Sequence, residues 1–239
     1  MSTLAAATSV ADVRSKDVLL LDVGGLLVRP DTRRIISALG DGHTVTVDSL
    51  DRALYCHGRV GAGLGPGDDD DDFVFRFVVA AGAAPGLVRE VFEELREIVL
   101  FSSWEARDRA SDVAALESLT SRLRHVALVT NSEGGAEEMV RNLGLAQVGA
   151  GPGTPVSAVI DSATLGVHKP DPEIFRLSAA LVGSEPAECV CVGDSVRNDV
   201  DAARAAGVLP VHFDPYGDCP DRADHLHVPS LSEFARWLA

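Results

Sequence analysis

Side chains that could transfer a phosphoryl group recur at four places along this chain. They offer carboxylates, a hydroxyl, an amide and an ammonium group: Asp22, Thr130, Asn131, Lys169, Asp194 and Asp199. Asp22 is a candidate nucleophile, because a carboxylate can form an aspartyl-phosphate and so divide one difficult step into two. Asp194 is a candidate ligand for Mg²⁺, since hard divalent cations prefer carboxylate oxygens, and the ion would offset repulsion between that carboxylate and a phosphate dianion.

The remaining groups suit the phosphate itself. The Thr130 hydroxyl and the amides that begin the following helix could bind phosphate oxygens, and Lys169 would place a positive charge near the transferring group. Asp199, one turn after Ser195, could bind the metal or orient its waters and Lys169. Each residue alone also has an ordinary role, since a strand-terminal Asp or a Thr-Asn-Ser sequence is a common helix start. Their order and combination favour phosphoryl transfer.

Apolar runs that predict buried strands precede most of these groups. The run 18–21 ends before Asp22, the run 126–129 ends before Thr130, and the run 189–192 ends before Gly193 and Asp194. Further strands are predicted at 156–160 and 209–213. Helical patterns alternate with the runs, at 112–123, 136–143, 172–182, 200–207 and 231–238. This alternation predicts an α/β fold with a mostly parallel sheet. Ligands bind at the carboxyl ends of the strands in such a sheet.

Residues 30–104 differ in character and predict a helical insertion. Helical patterns cover 32–39, 47–60, 73–81 and 87–100, with glycine-rich joints between them. The segment GAGLGPGDDDDD at 61–72 predicts a flexible, solvated loop. Its adjacent aspartates lack the spacing and the glycine turn of a calcium-binding loop. Residues 1–17 predict a frayed leader.

The composition restricts the partners and the compartment. A net charge of −15 disfavours nucleic acids and anionic membrane surfaces, because binding to either needs Lys and Arg. No apolar run is long enough to span a bilayer, and the amino terminus lacks the basic start of a signal peptide, so a cytoplasmic location is expected. The cysteines form no Cys-x-x-Cys pair and are expected to be buried, reduced thiols: Cys56, Cys189, Cys191 and Cys219.

Four motifs make the chain similar to a known family. They are LLLDVGG (19–25), LVTNS (128–132), GVHKPDPEIF (166–175) and CVGDSVRNDVDAARAAG (191–207). In their order and spacing they resemble the haloacid dehalogenase-like (HAD) hydrolase superfamily. The resemblance implies a Rossmann-like core at 1–29 and 106–239 with an inserted helical cap domain at 30–105. It also implies Mg²⁺-dependent phosphatase chemistry. We therefore expect a phosphatase that acts on a small phosphorylated metabolite, as a monomer or homodimer.

The resemblance further implies a role for each candidate residue. Asp22 is the nucleophile, and Lys169 stabilises charge on the phosphate. The phosphate-binding residues are Thr130, Asn131 and Lys169. The metal ligands are Asp22, the backbone carbonyl of Gly24, and Asp194, with Asp199 in support.

Gly24 departs from the pattern of the family. Its phosphatases usually have a second Asp two residues after the nucleophile, which acts as general acid and base, and here Gly24 stands at that position. The carbonyl of Gly24 can still bind the metal, but no side chain remains to donate a proton. Loss of a positioned acid typically lowers a rate by about 10²–10⁴.

Gly24 therefore leaves several alternatives open. The substrate could have a good leaving group, such as an anomeric or acyl phosphate, that needs little protonation. The cap could supply the acid from Tyr55 or His57, although packing or a surface position is the commoner role of such residues. The chain could also be a degenerate member that binds a ligand without turnover. A 2-haloacid dehalogenase fits less well, because that activity needs no metal and those enzymes usually have Tyr at the position of Gly24.

Two further groups of residues are weaker candidates. Arg29, Arg59 and Arg76 could meet the substrate, but salt bridges are the more common role of such arginines. His225 and His227 could ligate a transition metal, but their position on a late loop favours a role without metal.

Overall fold

The computed structural model describes residues 9–55, 70–102, 104–220 and 224–239, which contain a six-stranded parallel sheet. The strands are β1 (Val18–Leu21), β2 (Val28–Pro30), β3 (Trp104–Ala106), β4 (His125–Thr130), β5 (Ala146–Val148), β6 (Thr154–Val156), β7 (Ala158–Asp161), β8 (Cys189–Gly193), β9 (Leu209–Phe213) and β10 (Leu226–Val228). The order in the main sheet is β10-β9-β8-β1-β4-β7 with every pair parallel, whereas β2 pairs with β3 and β5 with β6. The predicted α/β fold is confirmed.

Helices separate most of the strands. They are α1 (Val10–Arg14), α2 (Thr32–Leu39), α3 (Val47–Ala53), α4 (Asp70–Ala80), α5 (Pro85–Glu90), α6 (Phe92–Arg96), α7 (Arg109–Thr120), α8 (Ala136–Asn142), α9 (Ser162–Leu165), α10 (Glu173–Leu181), α11 (Ala202–Ala206) and α12 (Leu231–Trp237). Glu97–Ser102 and Val196–Asp201 are π-helical, and Pro186–Glu188 forms a 3₁₀ turn.

The central strand β1 is apolar at every position because both of its faces are covered. Its sequence VLLL is buried throughout. A continuous apolar run, rather than an alternating one, is typical of a parallel sheet with helices on both faces. Val18 and Leu20 share one apolar cluster with Ile174 and Phe175 of α10. This packing fixes the carboxyl end of β1, where Asp22 follows.

The chain forms two compact units. One contains Met1–Leu27 with Ala106–Ala239, and the other is Val28–Glu105. The first unit carries the six-stranded sheet. The predicted function of the second segment as a cap stays a prediction. Among the described residues, none of the helices combines the length and the apolar content that crossing a bilayer requires.

The second unit has an apolar cluster of its own, to which α2 to α6 contribute. Tyr55 packs against this cluster. Arg29 forms ion pairs of 2.9 Å with both Asp51 and Glu105, and Arg76 pairs at 2.6 Å with an aspartate one turn earlier in α4. Two of the three arginines considered as substrate contacts therefore have salt-bridge partners inside this unit.

The expected frayed leader is wrong for the residues around α1. The Ser9 hydroxyl accepts a hydrogen bond from the Asp12 N–H at 3.4 Å, and the Asp12 carboxylate accepts one from the Ser9 N–H at 2.8 Å. This is a capping box with Asp where Glu or Gln is usual, which explains why the sequence did not point to a helix start. Val13 anchors the helix because it is fully buried.

Two predicted elements are divided in the structure. The helix expected at 87–100 is interrupted at Val91, whose backbone is not helical (φ −112°) and separates α5 from α6 and the π-helical segment after it. The strand expected at 156–160 is instead the pair β6 and β7. These two strands belong to different sheets, since β6 pairs with β5 and β7 pairs with β4. The chain passes from one sheet to the other at Ser157, whose N–H donates to the Val126 carbonyl in β4 at 2.7 Å.

The acidic segment expected to be a loop is helical from Asp70 onward. Several sequence predictions lie outside the described residues: the rest of that loop at 61–69, Cys56, His57 and Arg59. The other cysteines, Cys189, Cys191 and Cys219, are buried, as expected, and form no disulfide within the part of the chain that the structure describes.

Candidate active site

Three strand ends bring polar groups to one edge of the sheet. β1 lies between β4 and β8 and runs parallel to both. Asp22 follows β1 directly, Thr130 is the last residue of β4, and Asp194 is the first residue after β8. The carboxyl ends of parallel strands are where ligands bind in α/β proteins.

Lys169 joins two of the predicted site residues. Its Nζ donates to Asp22 Oδ1 at 2.6 Å and to Asp199 Oδ1 at 2.7 Å. All three residues are buried, with Lys169 only 4% exposed. Burial lowers the pKa of Lys169, but the carboxylates of Asp199 and Asp22 outweigh it, so the net pKa lies above the ordinary value. The ammonium group is therefore charged at neutral pH.

Asn131 holds the loop that carries Lys169. Its Nδ2 donates to the Lys169 carbonyl at 2.9 Å, and its Oδ1 accepts from the Lys169 N–H at 2.8 Å. Both polar ends of the side chain therefore serve the Lys169 backbone. Thr130 is buried beside it, and its hydroxyl donates to the Asn131 carbonyl at 3.3 Å. Phosphate binding by Thr130 and Asn131 stays a prediction.

Three carboxylates converge beside Lys169. One carboxylate oxygen from each of Asp22, Asp194 and Asp199 lies within 4.8 Å of the others. Burial, together with the Asp199 charge, raises the pKa of Asp22 to about 6, although Lys169 opposes the shift. Burial and the charges of Asp22 and Asp199 raise the pKa of Asp194 well above its usual range. Negative charge in this cluster is only partly balanced.

The donor set of this cluster fits a hard divalent cation. Carboxylate oxygens are the protein ligands that Mg²⁺ prefers, and Mg²⁺ commonly takes one or two of them together with substrate phosphate oxygens. A bound cation would add the positive charge that three carboxylates and one ammonium group lack. The residues that would hold it are Asp22, Asp194 and Asp199, with the carbonyl of Gly24 as the further ligand that the sequence suggests.

Two glycines permit the close approach of the carboxylates. A Cβ atom at Gly25 (φ 71°) would lie 2.1 Å from Asp194 Oδ2, and one at Gly193 would lie 2.1 Å from Asp199 Cγ. Neither separation is possible between non-bonded atoms. The side chains of Asp194 and Asp199 therefore occupy space that any other residue at these positions would fill.

Hydrogen bonds orient the segment after β8. Asp199 Oδ2 accepts from the Ser195 N–H at 3.0 Å, and Ser195 Oγ accepts from the Asn198 N–H at 3.2 Å. His212 Nε2 lies 2.9 Å from the carbonyl oxygen of Asp194, within hydrogen-bond distance. Side chains thus hold both the carbonyl oxygen and the N–H of the peptide group that joins Asp194 to Ser195.

Comparison with known protein families identifies the family of this chain. The family model described as haloacid dehalogenase-like hydrolase matches residues 16–207, which include all four motifs. The chain belongs to the haloacid dehalogenase-like hydrolases. The family was expected from the four motifs, and this membership is confirmed.

Phosphatases occur among the relatives of this HAD-like hydrolase. A phosphoserine phosphatase of Thermus thermophilus is 34% identical over 159 residues, which cover 64% of this chain and 58% of that protein. A phosphoglycolate phosphatase of Neisseria meningitidis is 38% identical over 107 residues, which cover 44% of this chain and 42% of that protein. The chain thus spans about half the length of the curated relatives that it matches.

The solved structures support the fold of the HAD-like hydrolase. A HAD phosphatase from Thermococcus onnurineus has a TM-score of 0.58 at 20% identity, covering 94% of this chain and 98% of that one. At that identity the likeness concerns the fold alone.

Asp161 is a positioning residue of this HAD-like hydrolase that the sequence did not reveal. Its Oδ2 accepts from the Ser132 hydroxyl at 2.5 Å and from the Ala136 N–H at 3.1 Å, and its Oδ1 accepts from the Ala163 N–H at 3.0 Å. These bonds hold the loop that follows Thr130. They also lower the pKa of Asp161, although burial opposes the shift. A strand-terminal Asp followed by Ser was the signal that could have found it.

Gly24 lies in the turn between β1 and β2 of the HAD-like hydrolase. Its backbone is not left-handed, unlike that of Gly25, so an L-residue could adopt the same conformation. Of the two residues considered as an alternative proton donor, Tyr55 packs in the apolar cluster of the second unit, and His57 lies outside the described residues. No donor is therefore assigned.

Proposed function

We propose that this HAD-like hydrolase is a Mg²⁺-dependent phosphatase that hydrolyses a small phosphorylated metabolite through an aspartyl-phosphate on Asp22. The single observation that carries the proposal is the buried contact of Lys169 with both Asp22 and Asp199, at 2.6 and 2.7 Å, beside the carboxylate of Asp194. The proposed nucleophile Asp22, the positive charge of Lys169 and carboxylates that could bind a hard metal ion therefore lie close to one another. The phosphatase names of two relatives support the same reaction class.

The reaction divides into two steps at the Asp22 carboxylate. In the first step a carboxylate oxygen of Asp22 attacks phosphorus, the bond to the ester oxygen breaks, and the leaving group departs as an anion that takes a proton from solvent. In the second step water attacks phosphorus, the bond to Asp22 breaks, and inorganic phosphate leaves with the carboxylate restored. Mg²⁺, when bound, supplies a Lewis acid that neutralises charge on the phosphoryl oxygens.

Lys169 and Asn131 orient the Asp22 carboxylate for its attack on phosphorus. Lys169 fixes Oδ1 of Asp22 and keeps a positive charge next to the position that the phosphoryl group would occupy. The side chain of Asn131 holds Lys169 in place through two hydrogen bonds to the Lys169 backbone. Preorganised charges of this kind need no rearrangement during the reaction, which is why they lower the barrier in a buried site.

The lack of an acidic side chain at Gly24 restricts the substrates that could react efficiently. With no acid two residues after the nucleophile, the leaving oxygen must depart with little help. We therefore propose a substrate with a good leaving group, such as an acyl or anomeric phosphate. Alkyl phosphates, whose alkoxides are strongly basic, would react more slowly by about 10²–10⁴ without general acid catalysis.

A series of phosphate esters with leaving groups of increasing pKa tests both parts of the proposal. For the wild type with Mg²⁺ we expect kcat/KM to fall steeply as the leaving-group pKa rises, and a chelator to abolish turnover. Gly24→Asp should flatten this dependence, with a gain of up to about 10²–10⁴ on alkyl phosphates, because it restores a proton donor. Gly86→Asp is the matched control, since nothing lies within 4 Å of a Cβ at that glycine, and it should leave the slope unchanged.

The alternative function is a ligand-binding protein without turnover, which the missing acid at Gly24 favours. Calorimetry with Mg²⁺ and inorganic phosphate separates the two. Binding of both, with no hydrolysis of any ester by the wild type or by Gly24→Asp, would contradict the phosphatase and support the binding protein. A flat dependence on leaving-group pKa in the wild type would contradict the substrate class alone.

A further inference from the structure

A second cluster of metal-ligating side chains lies near the carboxyl terminus. Its members, which form the His/Cys cluster, are His212, Cys219, His225 and His227. One ligand atom from each lies within 4.8 Å of the others. We propose that the His/Cys cluster binds one transition-metal ion of the Zn²⁺ class, at a site separate from the carboxylates of the proposed active site.

Two distances between ligand atoms match those of a tetrahedral site. His225 Nε2 lies 3.2 Å from His212 Nδ1 and 3.7 Å from Cys219 Sγ. Zinc binds nitrogen at about 2.0–2.1 Å and sulfur at about 2.3 Å. A tetrahedron with those bonds separates two nitrogens by about 3.3 Å and a nitrogen from the sulfur by about 3.6 Å. An ion therefore fits between the three atoms without a large shift.

In two of the three histidines, the ring nitrogen opposite the ligand atom lies within hydrogen-bond distance of an oxygen, as is usual in a metal site. His212 Nε2 lies 2.9 Å from the Asp194 carbonyl oxygen, and His227 Nδ1 lies 3.2 Å from Asp214 Oδ2. Metal-bound histidines almost always donate their other N–H to a carbonyl or a carboxylate, which fixes the tautomer. These contacts assign His212 Nδ1 and His227 Nε2 as the ligand atoms.

The carboxylate of Asp214 holds the loop that carries the Cys219 thiol. Asp214 Oδ1 accepts from the Asp218 N–H at 2.9 Å, and Asp214 Oδ2 accepts from the Cys219 N–H at 3.5 Å. One carboxylate thus orients both Cys219 and His227. The hydrogen bonds from Asp218 and Cys219 lower the pKa of Asp214, although burial opposes the shift.

The types and the number of the ligands indicate which metal would bind and whether the site would be structural or catalytic. Three imidazoles and a thiol suit Zn²⁺ and disfavour Mg²⁺, which requires oxygen ligands. Four protein ligands close a tetrahedral site, so no position remains for a reacting water, and the site is structural. Binding converts the Cys219 thiol to a thiolate and releases one proton to solvent.

The His/Cys cluster would join a loop to the sheet and to the active site. His212 in β9 and His227 in β10 are register partners on neighbouring parallel strands, whereas Cys219 lies in the connection between them. A metal on Nδ1 of His212 would leave the proton on Nε2, where it can only donate to the Asp194 carbonyl. The ion would therefore also hold the backbone at Asp194.

Metal binding to the full chain tests the proposal directly. We expect the purified wild type to retain one Zn²⁺ per chain in a large excess of Mg²⁺, measured by mass spectrometry of the metal content. Co²⁺ in place of Zn²⁺ should give the intense visible bands of a tetrahedral ion and a thiolate charge-transfer band in the near ultraviolet. These spectra need no variant, so they remain informative even if a substitution unfolds the protein.

Variants identify the ligands. Cys219→Ser should abolish the charge-transfer band, and His227→Asn should weaken Zn²⁺ binding, with folding checked by circular dichroism. Asp214→Asn should lower the Zn²⁺ affinity by about 10- to 100-fold, because it removes the partner of a ligand and not a ligand. The matched controls are Cys189→Ala and His125→Asn, a cysteine and a histidine outside the cluster, and both should bind the wild-type amount.

Two results would overturn the proposal. One is a wild type that keeps no Zn²⁺ and gives Co²⁺ spectra without a thiolate band. The other is a folded Cys219→Ser variant that binds Zn²⁺ as tightly as the wild type. Either result would mean that the His/Cys cluster is a hydrogen-bonded group of side chains only.

Discussion

Lys169 is a single residue whose importance was predictable from the sequence, although its partners were not predictable from its neighbours in the chain. The chain has only two lysines, Lys16 and Lys169, and a lysine in a proline-bounded loop was therefore conspicuous in the sequence. Its partners were expected only through the order of the motifs, because Asp22 lies 147 residues away and Asp199 lies 30 residues away. The role of Asn131 in holding the Lys169 backbone had no local pattern and needed the structure.

Replacement of Lys169 tests the charge at the site. Lys169→Met should lower kcat/KM on a good phosphate ester by about 10²–10³, the usual loss when a preorganised donor is removed from a buried site. Lys16→Met is the control, because the Nζ of Lys16 donates to the Ala187 carbonyl, not to a residue of the site. Equal kcat/KM for Lys169→Met and the wild type would show that Lys169 only stabilises the fold.

Asp112 in α7 makes stability depend on pH. It is 8% exposed, and burial raises its pKa to about 6, although the Asp108 N–H opposes the shift. Because the folded state holds the proton more tightly, Asp112 favours folding at low pH, and this contribution is lost as the pH rises from about 4 to about 6. Asp112→Asn should therefore increase the free energy of unfolding by about 1–2 kcal/mol at pH 7, with no gain at pH 4.

Urea unfolding at several pH values checks the Asp112 prediction. The control is Asp108→Asn, which keeps an oxygen at the N-cap of α7 and should change the free energy of unfolding by less than about 0.5 kcal/mol. A gain from Asp112→Asn that is the same at pH 4 and pH 7 would rule out the buried charge as its cause.

The elements were predictable where one physical pattern dominates. Val18–Leu21 and Thr32–Leu39 have the predicted bounds, because a continuous apolar run marks the strand and an amphipathic period marks the helix. The π-helical turn Val196–Asp201 was not predicted, since nothing in the sequence distinguishes a π turn from an α turn. The short strand β10 was also missed, and with it the placement of His227 beside His212.

Gly193 at the end of β8 tests how the strand positions Asp199. A Cβ there would overlap the Asp199 side chain, so Gly193→Ala should move that carboxylate away from Lys169. We expect a loss of about 1–3 kcal/mol in the free energy of unfolding, the usual cost of overpacking, and weaker Mg²⁺ binding by calorimetry. Gly86→Ala is the control, because its site is open. If Gly193→Ala bound Mg²⁺ like the wild type, Asp199 would not belong to the metal site.

At the scale of the whole molecule, the sequence revealed the family through motifs that lie in one unit. All four motifs fall in the unit of Met1–Leu27 with Ala106–Ala239, which carries the parallel sheet. The sequence pointed only to His225 and His227 as possible metal ligands, because the other members of the His/Cys cluster lie in β9 and in the connection before β10. The substrate was not predictable from the sequence, since no motif in Val28–Glu105 points to a ligand.

Trapping of the phosphorylated protein tests the central claim most directly. Wild-type protein mixed with Mg²⁺ and an acyl phosphate carrying radioactive phosphorus, then quenched with acid, should retain label that hydroxylamine removes, as expected of an aspartyl-phosphate. Peptide mapping should place the label on the segment that contains Asp22. Asp22→Asn should take no label, whereas Asp17→Asn, at the other end of β1, should be labelled like the wild type. Equal labelling of Asp22→Asn, or hydrolysis by a wild type that never takes label, would contradict the account.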